Sequence, residues 1–161
     1  MIREATIKDV PAIHEMIIEL AVYEKEPDAV LATAADLQRH LFGPDPALFA
    51  HVAEDEDGTV VGFALWFLNY STWLGKHGIY LEDLYVKPDH RGGGHGKALL
   101  AHLAGICSER GYGRLDWWVL DWNTPARGFY ESIGARGLTE WIPYRVTGDA
   151  LTDLASDRTP G

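Results

Sequence analysis

A single cysteine, Cys107, stands in a chain of 161 residues, so no internal disulfide can form. No apolar run approaches the roughly 18 residues of a membrane span. Arg3, Glu4, Lys8 and Asp9 interrupt the N-terminus, so a secretory signal is not expected and the cytoplasm is the expected compartment. Positive charge is scarce. Fourteen Lys plus Arg against 24 Asp plus Glu give a net charge of -10, which disfavours nucleic acid and anionic membranes as partners and suits a cationic one. The seven histidines show no metal-ligand spacing with Cys107 or with acids, so no metal is expected. Repeats and linkers are missing too. What remains is an average globular composition, 47% hydrophobic and 24% charged, in a length suited to one domain with its own core.

Local patterns divide the chain into alternating elements. Asp9 before Val10-Pro11 reads as an N-cap, and Ile13, Met16, Ile17 and Leu20 then recur at helical spacing until Lys25 to Pro27. Thr33 with Asp36 predicts a capping box for a second helix that ends before Gly43. Leu48 to Glu54 and Thr59 to Leu68, joined at Asp57-Gly58, predict a hairpin. Ile79 to Val86 reads as a strand closed by Pro88, yet it carries Glu82 and Asp83. A helix follows up to Arg110, with Gly111 as its C-cap. Arg114 to Leu120 predicts a strand, and Asn123-Thr124-Pro125 starts a helix that Gly134 stops. Two short strands are expected at Ala135 to Leu138 and Trp141 to Val146, then a helical turn near Leu151 and Leu154 and a frayed tail. The alternation predicts an α/β fold, a mixed central sheet flanked by helices on both faces.

The run Arg91-Gly92-Gly93-Gly94-His95-Gly96 leads from a strand into a helix, where free N–H groups and the positive helix end favour an anion. It is no Walker A loop: Gly92 stands one residue too close to Gly96-Lys97, and Ala98 replaces Ser or Thr. The dinucleotide spacing fails as well. Arg-x-x-Gly-x-Gly instead resembles the acetyl-CoA pyrophosphate loop of the GCN5-related N-acetyltransferase (GNAT) superfamily. Asp121-Trp122-Asn123-Thr124-Pro125 with Phe129-Tyr130 extends the likeness. Together with Tyr70-Ser71-Thr72-Trp73 and Ile79 to Val86, the chain resembles the diamine (spermidine/spermine) acetyltransferase family, closest to its thialysine-acetylating branch, from Ile2 to about Trp141.

The resemblance implies a GNAT domain over residues 1–147, a C-terminal tail over 148–161, a homodimer, and acetyl-CoA as acetyl donor. It implies coenzyme contacts at Leu84, Tyr85 and Val86, along Arg91, Gly92, Gly93, Gly94, His95, Gly96 and Lys97, and at Asn123, Pro125, Ala126 and Tyr130. Tyr130 is the expected general acid, since a phenol of ordinary pKa about 10 stays protonated at neutral pH and can donate to sulfur. Glu82 is the expected base, through a water, or else an electrostatic hook for the ammonium. Tyr23, Glu24, Trp73, Asp83, Glu140 and Trp141 are expected to line the acceptor site, carboxylates attracting the amine and indoles packing its methylenes. Period-two alternation would send Glu82 and Asp83 to opposite faces; a β-bulge could bring both to one cleft. Ser71-Thr72 in place of Asp-Pro before Trp73, and a shortened segment between Leu138 and Trp141, depart from the spermidine-type pattern. The expected reaction is acetylation of a primary amine on a small cationic acceptor (thialysine, a lysine-like amino acid, or a diamine or polyamine) in a ternary complex. A protein or peptide N-acetyltransferase and a non-catalytic acyl-CoA-binding module are the alternatives on the same scaffold.

Overall fold

The computed structural model describes residues 1–159. The chain forms two compact units, Met1–Leu120 and Asp121–Gly161. The first holds strands β1 (Ile2–Glu4), β2 (Phe49–Glu54), β3 (Val60–Ser71), β4 (Lys76–Val86) and β5 (Leu115–Trp117), with helices α1 (Val10–Tyr23), α2 (Ala34–Phe42) and α3 (His95–Arg110). The strands lie in chain order; every pairing is antiparallel except β4 with β5, which is parallel. That parallel step needs a crossover, and α3 supplies it.

Side-chain alternation gives the sheet two buried faces. On one, Val52, Phe63, Leu65 and Tyr85 pack with Val10, Ile13, Met16, Leu37 and Leu41 of α1 and α2. On the other, α3 presents the buried Leu99, Leu103 and Cys107, and the His51 ring of β2 meets His102 of α3 at 4.6 Å. Each such aliphatic or Phe side chain, fully buried, contributes about 1.5–3 kcal/mol. The expected mixed α/β sheet with helices on both faces is therefore present.

Caps follow the sequence closely at α2, where the Asp36 amide donates to Thr33 Oγ1 at 3.1 Å and the Thr33 amide to Asp36 Oδ2 at 2.9 Å. At α1 the cap differs from expectation. Asp9 makes no forward cap; its carboxylate accepts from the Thr6 amide at 2.7 Å and from Arg3 at 2.7 and 3.0 Å. Arg3 also donates to Glu54 at 2.6 Å, tying β1 to β2 and, through Asp9, to the short 3-10 turn Ile7–Asp9. A buried carboxylate takes the strongest donor in reach, here a guanidinium.

Strands β3 and β4 are longer than the periodicity implied, and β5 is shorter, three residues rather than seven. In the second unit, α4 (Thr124–Ser132) and α5 (Gly148–Ser156) form. The strands expected at Ala135 to Leu138 and Trp141 to Val146 do not form among the described residues. The expected turn near Leu151 is a full nine-residue helix. The last two residues of the expected tail lie outside the described range.

Candidate active site

The acids in β4 find their explanation in its register against β3. Leu65 stands opposite Asp83, but Trp66 stands opposite Leu81, so Glu82 is an extra residue with no partner across the ladder. This bulge inverts the alternation. Without it, Leu81 and Asp83 would share a face. With it, Asp83 joins the buried Tyr85 on the α1 side, while Ile79 and Leu81 are buried on the α3 side. The exposed Glu82 stands at the step between the two runs.

Glu24, at the end of α1, completes a set of three carboxylates. Burial, then the negative charges of Glu82 and Glu24, push the half-buried Asp83 up from 3.8 to about 7. Glu24 is also raised, by burial and then by Glu82. Three like charges at one spot are unfavourable unless a cation arrives, so the set favours positive charge beside it.

Next along β4 the sheet opens. Strand β5 pairs with β4 only at Ile79 to Leu81, and β4 continues to Val86. Among the described residues no strand pairs with that side of Leu84, Tyr85 and Val86, so their backbone offers a sheet edge for an extended ligand. Beyond it, a single 3-10 turn (Pro88–His90) leads to the glycine loop. Gly92 and Gly94 adopt φ of 82° and 86°, a left-handed region that costs an L side chain about 1–2 kcal/mol. The first α3 hydrogen bond runs from the Ala98 amide to the Gly94 carbonyl. The His95, Gly96 and Lys97 amides therefore lie in the first turn, where the helix itself offers no acceptor.

Arg91, expected to face pyrophosphate, turns toward α1. Its guanidinium carbon lies 5.2 Å from the Tyr85 ring centroid and 5.6 Å from that of Tyr23, and its Nε donates to the Val86 carbonyl at 2.8 Å. Tyr23, Tyr85 and Arg91 thus link the loop to the helix end that carries Glu24. Lys87 is held between Glu15 and Glu19, 3.7 Å from each.

Trp73 is not brought to this cluster within the chain. It sits 82% exposed in the β3–β4 turn, and the register puts Lys76, at the near end of β4, six rungs from Asp83, about 20 Å at the strand rise.

In the second unit, Asn123 caps α4, its Oδ1 accepting from the Ala126 amide at 3.4 Å, and Pro125 occupies the first turn. Tyr130 lies near the end of α4, its ring 5.5 Å from Phe129. Glu140 and Trp141 are exposed, in a turn closed by the Trp141 amide donating to the Leu138 carbonyl at 3.2 Å.

Sequence reasoning missed Asp116 and Asn69. They share the face of Asp83, and Asn69 Nδ2 donates to Asp116 Oδ2 at 3.2 Å. Only the β4–β5 pairing reveals this neighbourhood. No group of three or more His, Cys, Asp or Glu suited to a metal occurs among the described residues, and no helix there is long and apolar enough to cross a membrane.

Comparison with known proteins gives the same picture. The model of the Acetyltransferase (GNAT) family matches residues 11–135. A thialysine N-epsilon-acetyltransferase of Bos taurus is 40% identical over 96% of both chains. An L-ornithine N5-acetyltransferase of Arabidopsis thaliana is 34% identical over 93% of this chain and 85% of its own. The solved structure of an integron cassette protein from the mobile metagenome of V. cholerae superimposes with a TM-score of 0.80 at 30% identity, covering 98% of each chain. The open strand edge, the glycine loop and these relatives converge: the chain belongs to the GNAT acetyltransferase family and is an N-acetyltransferase.

Proposed function

We propose that this protein transfers acetyl from acetyl-CoA to a primary amine of a small cationic acceptor, by direct attack in a ternary complex. The observation that carries the reading is the bulge at Glu82, which gathers Glu82, Asp83 and Glu24 beside the unpaired edge of β4. The first-turn amides of α3, with the backbone of Gly92 to Lys97, hold the pyrophosphate. Backbone groups of Leu84 to Val86 align the pantetheine, and an amide near Leu84 polarises the thioester carbonyl. The carboxylate set holds the ammonium and takes its proton, Glu82 acting as base or as hook. The freed nitrogen attacks the carbonyl carbon, the carbon–sulfur bond breaks, Tyr130 donates its proton to the departing sulfur, and the second proton that the nitrogen sheds as the amide forms restores the phenol. The names of the relatives, acting on thialysine and ornithine, agree with a short amine. Residues 1–147 form the acetyltransferase domain in this reading, and the protein works as a cytoplasmic homodimer with acceptor sites near the interface; Trp73, Glu140 and Trp141 then contribute to the acceptor site.

The test is acetyl-CoA-dependent thiol release across thialysine, lysine, ornithine, putrescine, spermidine and a peptide N-terminus. Saturable release with one small amine is expected, and Tyr130→Phe should lower turnover about 10²–10⁴-fold with coenzyme binding retained. Release with the peptide alone would replace this acceptor class, and full turnover in Tyr130→Phe would remove that residue's role.

A further inference from the structure

The face that carries Asp83 continues along the sheet, and its charges change sign in sequence. From Asp83 the register steps to the Phe67–Tyr80 pair and then to Asn69 opposite Gly78. On β5, Tyr80 pairs with Asp116. The Phe67, Tyr80 and Trp118 rings pack in series, 5.0 and 6.0 Å between centroids, and form an apolar floor next to the acids. Two rungs of the ladder, about 7 Å, and one strand spacing, about 4.8 Å, put Asp116 about 8 Å from Asp83 at the backbone.

Asp116 is half-buried, and the Asn69 bond at 3.2 Å fixes its Oδ2. Two residues earlier, just ahead of β5, stands the exposed Arg114. Both residues line a shallow cleft with Asn69, Ser71, Lys76 and Gly78. Gly78 keeps that cleft open: a Cβ there would come within 2.7 Å of Asn69 Oδ1 and 3.4 Å of Arg114 Cβ. Along one line lie three carboxylates, an aromatic floor, one more carboxylate, and then a guanidinium with Lys76 beyond it.

A diamine matches that order as far as Asp116 and leaves the guanidinium without a partner. An α-amino acid with a side-chain amine matches all of it: ammonium, methylenes, α-ammonium, α-carboxylate. Extended, lysine separates its side-chain nitrogen from Cα by about 6 Å, five bonds at ~1.5 Å folded by tetrahedral angles. That span is close to the one between Asp83 and Asp116.

Resting on the acceptor reading above, we propose that Asp116 and Arg114 form a head-group subsite that selects a free basic amino acid over the diamine lacking its carboxylate. Asp116, oriented by Asn69, accepts hydrogen bonds from the α-ammonium, and Arg114 pairs with the α-carboxylate in two-pronged fashion.

The experiment compares lysine, 1,5-diaminopentane and pentylamine, which share one reactive amine and lose the head-group charges one at a time. Binding to the protein with coenzyme A is measured by calorimetry, and thiol release with acetyl-CoA is measured in parallel. Lysine should exceed the diamine at least tenfold in affinity and in kcat/KM, and the diamine should exceed pentylamine. Arg114→Gln, at an exposed position, should bring the lysine-to-diamine ratio to near one while the melting temperature holds. Asp116→Asn should bring the diamine-to-pentylamine ratio to near one. A wild-type ratio of lysine to diamine at or below one, or a ratio unmoved by Arg114→Gln, overturns the subsite. Selective lysine binding with no thiol release from any amine would instead refute the acetyl-transfer reading and leave the subsite standing.

Discussion

Replacing Asp83 by Asn should stabilise the protein at high pH and leave it nearly unchanged at low pH. Burial and the charges of Glu82 and Glu24 raise the Asp83 carboxyl from 3.8 to about 7. The folded state therefore holds a proton that the unfolded chain releases, and stability falls as pH rises between those values, then levels off. A rise of about three decades at ~1.4 kcal/mol each gives about 4 kcal/mol, and solvent on the open side of the site reduces this to about 2–3 kcal/mol. Asn copies the shape of the neutral acid and carries no charge. Urea unfolding at intervals from pH 4 to pH 9 should give coincident free energies near pH 4 and a variant more stable by about 2–3 kcal/mol near pH 8. A residual slope of the same sign should remain in the variant, because Glu24 is raised too. Parallel curves, or a variant less stable at pH 8, would refute the view that these carboxylates oppose one another. The same substitution should remove any limb near pH 7 from the profile of kcat/KM, showing that the strain belongs to the acceptor site.

Arg3→Met should destabilise by about 2–4 kcal/mol, since Asp9 and Glu54 lose the guanidinium that compensates them. Asp9 is held below the usual carboxylate range, first by Arg3, so wild-type stability is lost as pH falls through that lowered value, and the variant should lose less on acidification. Chemical denaturation at pH 7 and pH 3 checks both parts. Gly94→Ala, at φ 86° with open space around it, should cost about 1–2 kcal/mol by backbone strain and weaken acetyl-CoA binding in calorimetry. Gly128→Ala, inside α4 with equally open space and no positive φ, should instead stabilise by up to about 1 kcal/mol. A thermal melt that ranks these two variants the other way would remove the conformational argument.

Local patterns were sufficient wherever the physics is local. The Thr33–Asp36 capping box, the stripe through Ile13 and Met16, the Gly111 cap and the glycine run before α3 each depend on residues within one or two turns, and each formed as the spacing required. The acids in β4 were legible as an anomaly. Their arrangement was not, because a strand's alternation shows its period and not the rung at which its partner shifts by one. The carboxylate of Asp9 went to Arg3 rather than to the helix it precedes, since a buried charge is settled by the strongest donor in space. The failed strands after Ala135 show the same limit: alternation and β-branching suit a ladder, but a ladder needs a partner edge, and periodicity alone supplies none.

Local sequence pattern was enough for the order of elements as far as α4, for the glycine run ahead of α3 and for the pair of acids in β4. Packing in space was needed for the bulge at Glu82 to invert β4 and for β5 to stop at Trp117 while β4 runs on, and it put Glu24, which the family resemblance assigns to the acceptor site, within electrostatic reach of Glu82 and Asp83. It also put Asp116 on the face of Asp83, with Arg114 lining the same cleft as Asp116. Face and register are fixed by hydrogen bonds between segments far apart in the chain, and a one-residue shift reverses every side chain beyond it.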